Sequence, residues 1–175
     1  VYTASTNPPS SDMIGWVDSD WAGDVETRKS TTGFVVQLAK GPIAYASMLQ
    51  QTVALSSAAA EYMAACSIAE RIVFLRQLLD FLDLTQTAPT IIKEDNTACI
   101  KIATNPMTTK RTRHLEIRYH FVREQVERRI IQFEWTQSKD QIADVLTKAD
   151  IPNAQRKVLN ARLMGAASAS AEEEC

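Results

Sequence analysis

The chain has 175 residues, of which 45% are hydrophobic and 23% are charged, and this is the make-up of a single globular domain. Its formal net charge of −2 excludes a surface that is basic all over, although it is compatible with a local basic patch. Three cysteines exclude a disulfide framework, and none of them has the CxxC spacing of a zinc finger. No apolar run approaches ~20 residues and the first ten residues lack an apolar core, so we expect neither a membrane span nor secretion.

The two ends of the chain have the composition of unstructured segments. Residues 1–12 are rich in Pro, Ser and Thr, and we interpret them as a linker or a truncated connection. Residues 165–175 are small and acidic, which is typical of a disordered tail. We therefore expect the main domain over residues 13–148, followed by a C-terminal helix over residues 149–164.

Three short apolar runs near the start predict three strands, at Met13–Asp18, Thr32–Leu38 and Pro42–Met48. A hairpin turn at Lys40-Gly41 would join the last two. Short connections of this kind are typical of neighbouring antiparallel strands, so we expect the three runs to form a meander.

A long helix is predicted from Ser57 to about Leu82, because apolar residues recur there at three- and four-residue steps. Either Ser56 or Ser57 would supply the hydroxyl that caps its first turn.

The second half of the chain alternates between strand and helix patterns. The predicted elements are a strand at Thr90–Glu94, helices at Asn96–Ala103 and Arg113–Arg128, a strand at Ile130–Thr136, and helices at Asp140–Lys148 and Asn153–Met164. A meander followed by alternating helices and strands predicts an α/β fold: a mixed five-stranded sheet, its first three strands antiparallel, flanked by helices.

Four acidic residues stand at the ends of these elements. Asp18 ends the first strand, Glu61 lies in the first turns of the long helix, and Asp95 ends the fourth strand. Asp144 lies in the predicted helix after the last strand. Side chains at one sheet edge can converge, and clustered carboxylates repel one another unless cations such as Mg²⁺ or Mn²⁺ lie among them. Two such ions could hydrolyse a phosphodiester.

The alternative interpretation of each acid by itself is structural. Asp18 and Asp95 could be turn residues at strand ends, and Glu61 and Asp144 could be solvated charges on helices. Spacing and composition alone do not decide between these interpretations.

Longer motifs around the acids are more specific. The stretches VDSDWAGDVETRKSTTGF, QTVALSSAAAEYMAA, KEDNTACIKIATNP, RTRHLEIRYHFVRE and TQSKDQIADVLTK occur in this order. They closely resemble the ribonuclease H domain at the C-terminal end of copia-type retrotransposon Pol polyproteins, from about Gly15 to Lys148. The resemblance implies a ribonuclease H-like fold.

The resemblance also implies a set of catalytic and metal-binding residues. The family's metal-binding acids fall on Asp18 in VDSDW, Glu61 in SSAAAEY, Asp95 in the DN dipeptide and Asp144 in ADVLTK. They would hold two Mg²⁺ ions, for which Mn²⁺ could substitute. These are the same four acids that the order of strands and helices indicates.

Membership of this family would imply an endonuclease that cleaves the RNA strand of RNA–DNA hybrids during reverse transcription. Contacts to 2′-hydroxyl groups would distinguish RNA from DNA. The expected partners are the hybrid and the reverse transcriptase region of the same polyprotein, which would precede Val1. The expected location is the cytoplasm, in virus-like particles, or the nucleus.

A basic segment offers a surface for the substrate. Between Thr108 and Arg129 the sequence contains seven Lys or Arg residues but only three glutamates, whereas the whole chain has a net charge of −2. Such a concentration is typical of phosphate binding, but a solvated helix face with i,i+4 ion pairs would look the same. The candidate nucleic-acid contacts are Asn96, Arg113, His114 and Arg118. Neither His114 nor His120 receives a catalytic role.

Two other functions remain compatible with the motifs. Ala58-Ala59 stands where the family usually has Thr-Glu, as in a decaying copy, so the chain could be an inactive or domesticated remnant that only binds nucleic acid. Another carboxylate nuclease, such as an integrase or resolvase, would act on DNA alone, and the ADVLTK motif argues against it.

Overall fold

A five-stranded mixed sheet is the frame of the computed structural model, which describes residues 12–105 and 116–165. Its strands are β1 (Met13–Asp20), β2 (Thr31–Leu38), β3 (Gly41–Leu49), β4 (Thr90–Glu94) and β5 (Ile131–Trp135). They lie side by side in the order β3-β2-β1-β4-β5. The pairs β1/β2 and β2/β3 are antiparallel, and the pairs β1/β4 and β4/β5 are parallel. The predicted α/β fold with an antiparallel meander is confirmed.

Over residues 12–105 and 116–165, four α-helices and two short 3₁₀ helices accompany the sheet. The α-helices are α1 (Ser57–Phe81), α2 (Thr97–Thr104), α3 (Glu116–Glu127) and α4 (Asn153–Leu163), and the 3₁₀ helices are Ser138–Asp140 and Ile142–Leu146. Within the described residues no helix is long and apolar enough to cross a membrane.

The helix predicted over Asp140–Lys148 is wrong, because the segment forms 3₁₀ turns instead. The cause is Gln141, which has an extended ψ of 104° between the two turns and is fully buried. Its side-chain amide donates to the carbonyl oxygens of Val17 at 2.9 Å and Lys93 at 3.3 Å. These two bonds tie the segment to β1 and β4, and tertiary contacts thus override the local helix pattern.

The hairpin turn between β2 and β3 lies one residue earlier than predicted. Ala39 and Lys40 occupy it with φ of 51° and 65°, and Gly41 already belongs to β3. Positive φ at both central residues is the geometry of the common two-residue hairpin. The prediction missed it because glycine, rather than alanine or lysine, usually adopts that conformation.

The sheet is covered on both faces. On one face α1 packs against β1, where a Cβ at Gly15 would lie only 2.8 Å from Cδ1 of Ile68. On the other face Trp16 packs with Ile142 of the second 3₁₀ helix. Since β1 is buried from both sides, polar side chains that it carries are removed from water.

The domain limits remain predictions. The linker predicted over residues 1–12 lies outside the described residues apart from Asp12, and the tail predicted over 165–175 lies outside them apart from Gly165. The helix predicted at Asn153–Met164 corresponds to α4.

The N-cap of α1 gives a direct test of this fold. The hydroxyl of Ser56 accepts a hydrogen bond from the backbone N–H of Ala59 at 3.2 Å, and Ser57 is the first helical residue. We expect Ser56→Ala to lower the free energy of unfolding by about 1 kcal/mol, because an N–H of the first turn loses its acceptor. Ser57→Ala, the matched control, should change it by less than about 0.5 kcal/mol. Urea unfolding of both variants measures this, and equal effects would contradict the assigned cap.

Candidate metal centre

The parallel pairing of β1 with β4 sets the position of two acids. Trp16 of β1 is in register with Lys93 of β4, and extending that register by two residues aligns Asp18 with Asp95. Parallel strands end at the same edge of a sheet, so both carboxylates lie there. Asn96 then caps α2, which takes the chain away from the sheet immediately after Asp95.

Glu61 reaches the same edge from the first turns of α1. Carboxylate oxygens of Asp18, Glu61 and Asp95 all lie within 4.8 Å of one another. Asp18 and Glu61 are buried, and Asp95 is half-buried. The structure thus brings together three of the four acids that the sequence indicates. We refer to them below as the carboxylate triad.

The electrostatics of Glu61 are unfavourable for a charged carboxyl group. Burial, followed by the negative charges of Glu94 and Asp18, raises the pKa of Glu61 to about 10. Its buried Oε2 has no hydrogen-bond partner among the described residues. A buried carboxylate surrounded by like charges is costly unless a proton or a cation compensates it.

Asp144 lies beside the carboxylate triad rather than within it. Its Oδ1 is 2.7 Å from Nζ of Lys148, which also lies 3.3 Å from Oδ1 of Asp18. Burial and the charge of Asp18 raise the pKa of Asp144 to about 6, although Lys148 opposes the shift. The hydroxyl of Thr147 donates to Oδ2 of Asp18. Thr147 and Lys148, the last two residues of the ADVLTK motif, therefore fix the side chain of Asp18.

Sequence reasoning missed two charged residues of this region, Glu94 and Lys148. Glu94 is fully buried below Asp95, and burial raises its pKa to about 8. Its Oε1 accepts from the backbone N–H of Asn96 at 2.9 Å. The alternation of β4, in which Thr90, Ile92 and Glu94 are buried, is the signal that could have found it. The i,i+4 spacing of Asp144 and Lys148 would have indicated their ion pair.

Two of the four candidate nucleic-acid contacts, Asn96 and Arg118, belong to the residues that the structure describes. Arg113 and His114 lie outside the described residues. The side chain of Asn96 accepts from the backbone N–H groups of Ala98 and Cys99 at 3.0 and 3.1 Å, which is a capping role.

Arg118 is half-buried on α3. It lines a cavity of about 150 Å³ together with Gln50, Gln51 and Met63. The other residues that line the cavity are Thr32, Met48, Leu49 and Ser67. Its lining thus comes from β2, β3, α1 and α3, so it is a groove of the tertiary structure.

An aromatic side chain flanks the carboxylate triad. The indole N–H of Trp135, at the end of β5, donates to the backbone carbonyl of Asp95 at 3.1 Å, and the residue is 56% exposed. The bond fixes the backbone that carries Asp95, and the exposed ring lies at the rim of the site.

The donor set fits a hard divalent cation. Carboxylate oxygens are the ligands that Mg²⁺, Mn²⁺ and Ca²⁺ prefer, and three of them converge here. The unpartnered Oε2 of Glu61 is an acceptor that such an ion would satisfy. Softer metals that require cysteine or histidine find neither residue among the three ligands.

No protein-family model matches the chain. Over 136 residues it is 36% identical to the Retrovirus-related Pol polyprotein from transposon TNT 1-94 of Nicotiana tabacum, a match that covers 78% of this chain and 10% of that protein. Identity to the Retrovirus-related Pol polyprotein from transposon RE1 of Arabidopsis thaliana is also 36% over 136 residues, covering 78% of this chain and 9% of that protein. The chain spans about a tenth of the length of these curated relatives.

Solved structures share the fold. LC11-RNase H1, isolated from compost by a metagenomic approach, superposes with a TM-score of 0.59 at 18% identity, covering 82% of this chain and 98% of that one. The same enzyme in complex with an RNA/DNA hybrid gives a TM-score of 0.57 at 16% identity, covering 82% of this chain and 99% of that one. The fold is thus the ribonuclease H fold.

The raised pKa values predict how stability depends on pH in the presence of a chelator. Glu61, Glu94 and Asp144 have folded-state pKa values of about 10, 8 and 6, above those of unfolded carboxyl groups near 4. The folded state therefore binds more protons, and stability present at pH 5 should be lost progressively as the pH rises to 9. We expect the melting temperature in EDTA to fall over this range.

Two variants test whether the buried carboxyl groups cause this pH dependence. Glu61→Gln removes one of the buried groups that take up a proton on folding and should clearly reduce the fall in melting temperature, while Glu127→Gln, an exposed control on α3, should leave it unchanged. A melting temperature that is constant from pH 5 to 9, or equal slopes for the two variants, would contradict the electrostatic assignment.

Proposed function

We propose that the chain is the ribonuclease H domain of a transposon Pol polyprotein. In this role it is an endonuclease that hydrolyses the RNA strand of RNA–DNA hybrids during reverse transcription. The proposed cofactor is Mg²⁺, as two ions, with Mn²⁺ as a substitute. The observation that carries the proposal is the carboxylate triad, three acids from β1, α1 and the end of β4 with oxygens within 4.8 Å.

The chemistry follows from what these residues can hold. Bound Mg²⁺ would activate a water and stabilise the leaving oxygen of a phosphodiester. Asp18, Glu61 and Asp95 would ligate it, with Asp144 as a further ligand for the second ion. Because Mg²⁺ keeps several waters and is satisfied by few carboxylates plus phosphate oxygens, the site leaves positions for substrate.

The geometry around the acids supports a preorganised site. Thr147 donates to Asp18, and Trp135 holds the backbone carbonyl of Asp95. Gln141 joins the backbones of β1 and β4 directly below the two acids. Such supporting contacts orient ligands before an ion binds, and their loss typically costs 10- to 100-fold in metal affinity or activity.

The proposed substrate is an RNA–DNA hybrid, and the proposed partner is the reverse transcriptase region of the same polyprotein. Support comes from the polyprotein relatives and from the neighbour LC11-RNase H1, whose structure is known with an RNA/DNA hybrid. The basic residues of α3 and of the sequence before it offer counter-charges for phosphates.

A second candidate function has one observation in its favour. Lys148 pairs with both Asp18 and Asp144 without any metal, so one of their two negative charges is already compensated. A remnant that binds nucleic acid but does not cleave it would be compatible with this pairing. The two functions differ in whether a divalent cation produces turnover.

Cleavage of a labelled RNA–DNA hybrid by the purified chain tests the first function. We expect cleavage of the RNA strand in Mg²⁺ or Mn²⁺, none in EDTA, and none of duplex DNA. Asp95→Asn should reduce the rate at least about 100-fold, since one ligand oxygen of the carboxylate triad loses its charge. The exposed control Glu127→Gln should keep the rate of the unchanged chain.

The alternative outcomes separate the candidates. A folded chain that binds the hybrid but cleaves neither strand would favour the binding remnant. Cleavage that survives Asp95→Asn would contradict the assigned site.

A substitution of Arg118 tests whether this residue belongs to the proposed substrate surface. We expect Arg118→Gln to weaken hybrid binding and to reduce the slope of log affinity against log salt by about 1, because one phosphate contact is lost. Arg128→Gln is the control, since Arg128 lies in the turn directly after α3, is exposed and is already paired with Glu124 at 3.2 Å. Binding is measured by fluorescence anisotropy at several salt concentrations in Ca²⁺. Equal slopes for both variants would remove Arg118 from the interface.

A further inference from the structure

We propose that Lys148 is an internal counter-cation that competes with a divalent ion for Asp18 and Asp144, so that the ammonium group must leave before these two carboxylates can share an ion. The inference rests on the proposed function, since it concerns the same site. It makes Lys148 a positioning residue that sets how tightly the second ion binds.

The first support is the contact geometry. Nζ of Lys148 lies 2.7 Å from Oδ1 of Asp144 and 3.3 Å from Oδ1 of Asp18. The side chains of the two acids are only 6% and 2% exposed. Two buried carboxylates that share one ammonium group satisfy the requirement that buried charges be paired, which is the same requirement that a bridging ion would meet.

The second support is the way in which the lysine is attached. Its backbone N–H donates to the carbonyl oxygen of Asp144 at 2.9 Å, so the base of the side chain is fixed one turn beyond the acid. Its side chain is nonetheless 32% exposed. A flexible four-carbon stem that starts at a fixed point and reaches solvent can withdraw its ammonium group without moving the backbone.

The third support is the asymmetry of the site. Among the described contacts Lys148 pairs with Asp18 and Asp144, whereas Oε2 of Glu61 has no partner. Glu61 of the carboxylate triad therefore remains open to a cation, whereas Asp18 and Asp144 already share the positive charge of Lys148. Asp18 belongs both to the carboxylate triad and to this pair, so the two positions are predicted to have unequal affinity.

The experiment measures Mn²⁺ binding to the purified chain by isothermal titration calorimetry, with the melting temperature in EDTA as a second readout. We expect Lys148→Met to bind Mn²⁺ at the weaker position at least about tenfold more tightly. Lys148→Met should also melt at a lower temperature in EDTA than the unchanged chain. Saturating Mn²⁺ should raise its melting temperature by more than it raises that of the unchanged chain.

Two variants serve as controls. Lys93→Met removes another half-buried lysine, which pairs with Glu134 at 2.5 Å, and should leave both Mn²⁺ affinities unchanged. Lys148→Arg keeps the positive charge and should preserve the melting temperature in EDTA, while Mn²⁺ binds no more tightly than to the unchanged chain. Should Lys148→Met fail to fold, Lys148→Gln replaces it with the same expected gain in affinity.

Three results would overturn the proposed role of Lys148. If the unchanged chain binds Mn²⁺ and the Lys148 variants bind it equally well, the lysine is an ordinary ion pair. If Mn²⁺ affinity is unchanged but hybrid binding falls, the lysine contacts phosphate instead. If neither the unchanged chain nor the Lys148 variants bind Mn²⁺, the proposed function fails as well, which distinguishes that result from the first two.

Discussion

Repulsion among buried carboxylates at the end of β1 and β4 is the constraint on which the rest of the domain depends. Asp18, Glu61 and Asp95 bring oxygens within 4.8 Å of one another, and the fully buried Glu94 adds another acid next to them. Charges of one sign this close destabilise the folded chain unless protons or cations compensate them. The surrounding structure must therefore supply enough stability elsewhere to hold them together.

The scaffold meets this constraint with contacts that are local to the same sheet edge. The buried amide of Gln141 joins β1 and β4, which fixes the separation of the strands that carry the acids. Gly33 of β2 lets the segment after the second 3₁₀ helix lie on the sheet, because a Cβ there would be 2.5 Å from Cγ2 of Thr147. That close approach brings Thr147 and Lys148 to Asp18. The ADVLTK segment thus restrains the carboxylate of Asp18 on β1 through a hydrogen bond and an ion pair.

The sequence alone predicted the strands, the sheet class and α1, because strand runs and helical periodicity depend on local pattern. It could not predict the 3₁₀ turns around Gln141, since tertiary bonds to the backbone of β1 and β4 decide them. Three of the four acids converge as strand order suggested, whereas Asp144 lies beside them and pairs with Lys148, an i,i+4 pair that the sequence contained and that sequence reasoning overlooked. Glu94 was missed because a buried acid contradicts the usual preference of glutamate for water.

The cost of these acids bears on whether the chain is a nuclease or a remnant. Replacing a buried, uncompensated carboxyl group by a neutral residue usually stabilises a fold, so random change would readily remove it. The Ala58-Ala59 pair lies at the start of α1 and changes its surface, yet Glu61 two residues later keeps its buried oxygen without a partner. A structural role does not account for a carboxyl group buried beside three other acids, Glu94, Asp18 and Asp95. A cation-binding role does, because the same oxygen that weakens the fold becomes a ligand when an ion binds.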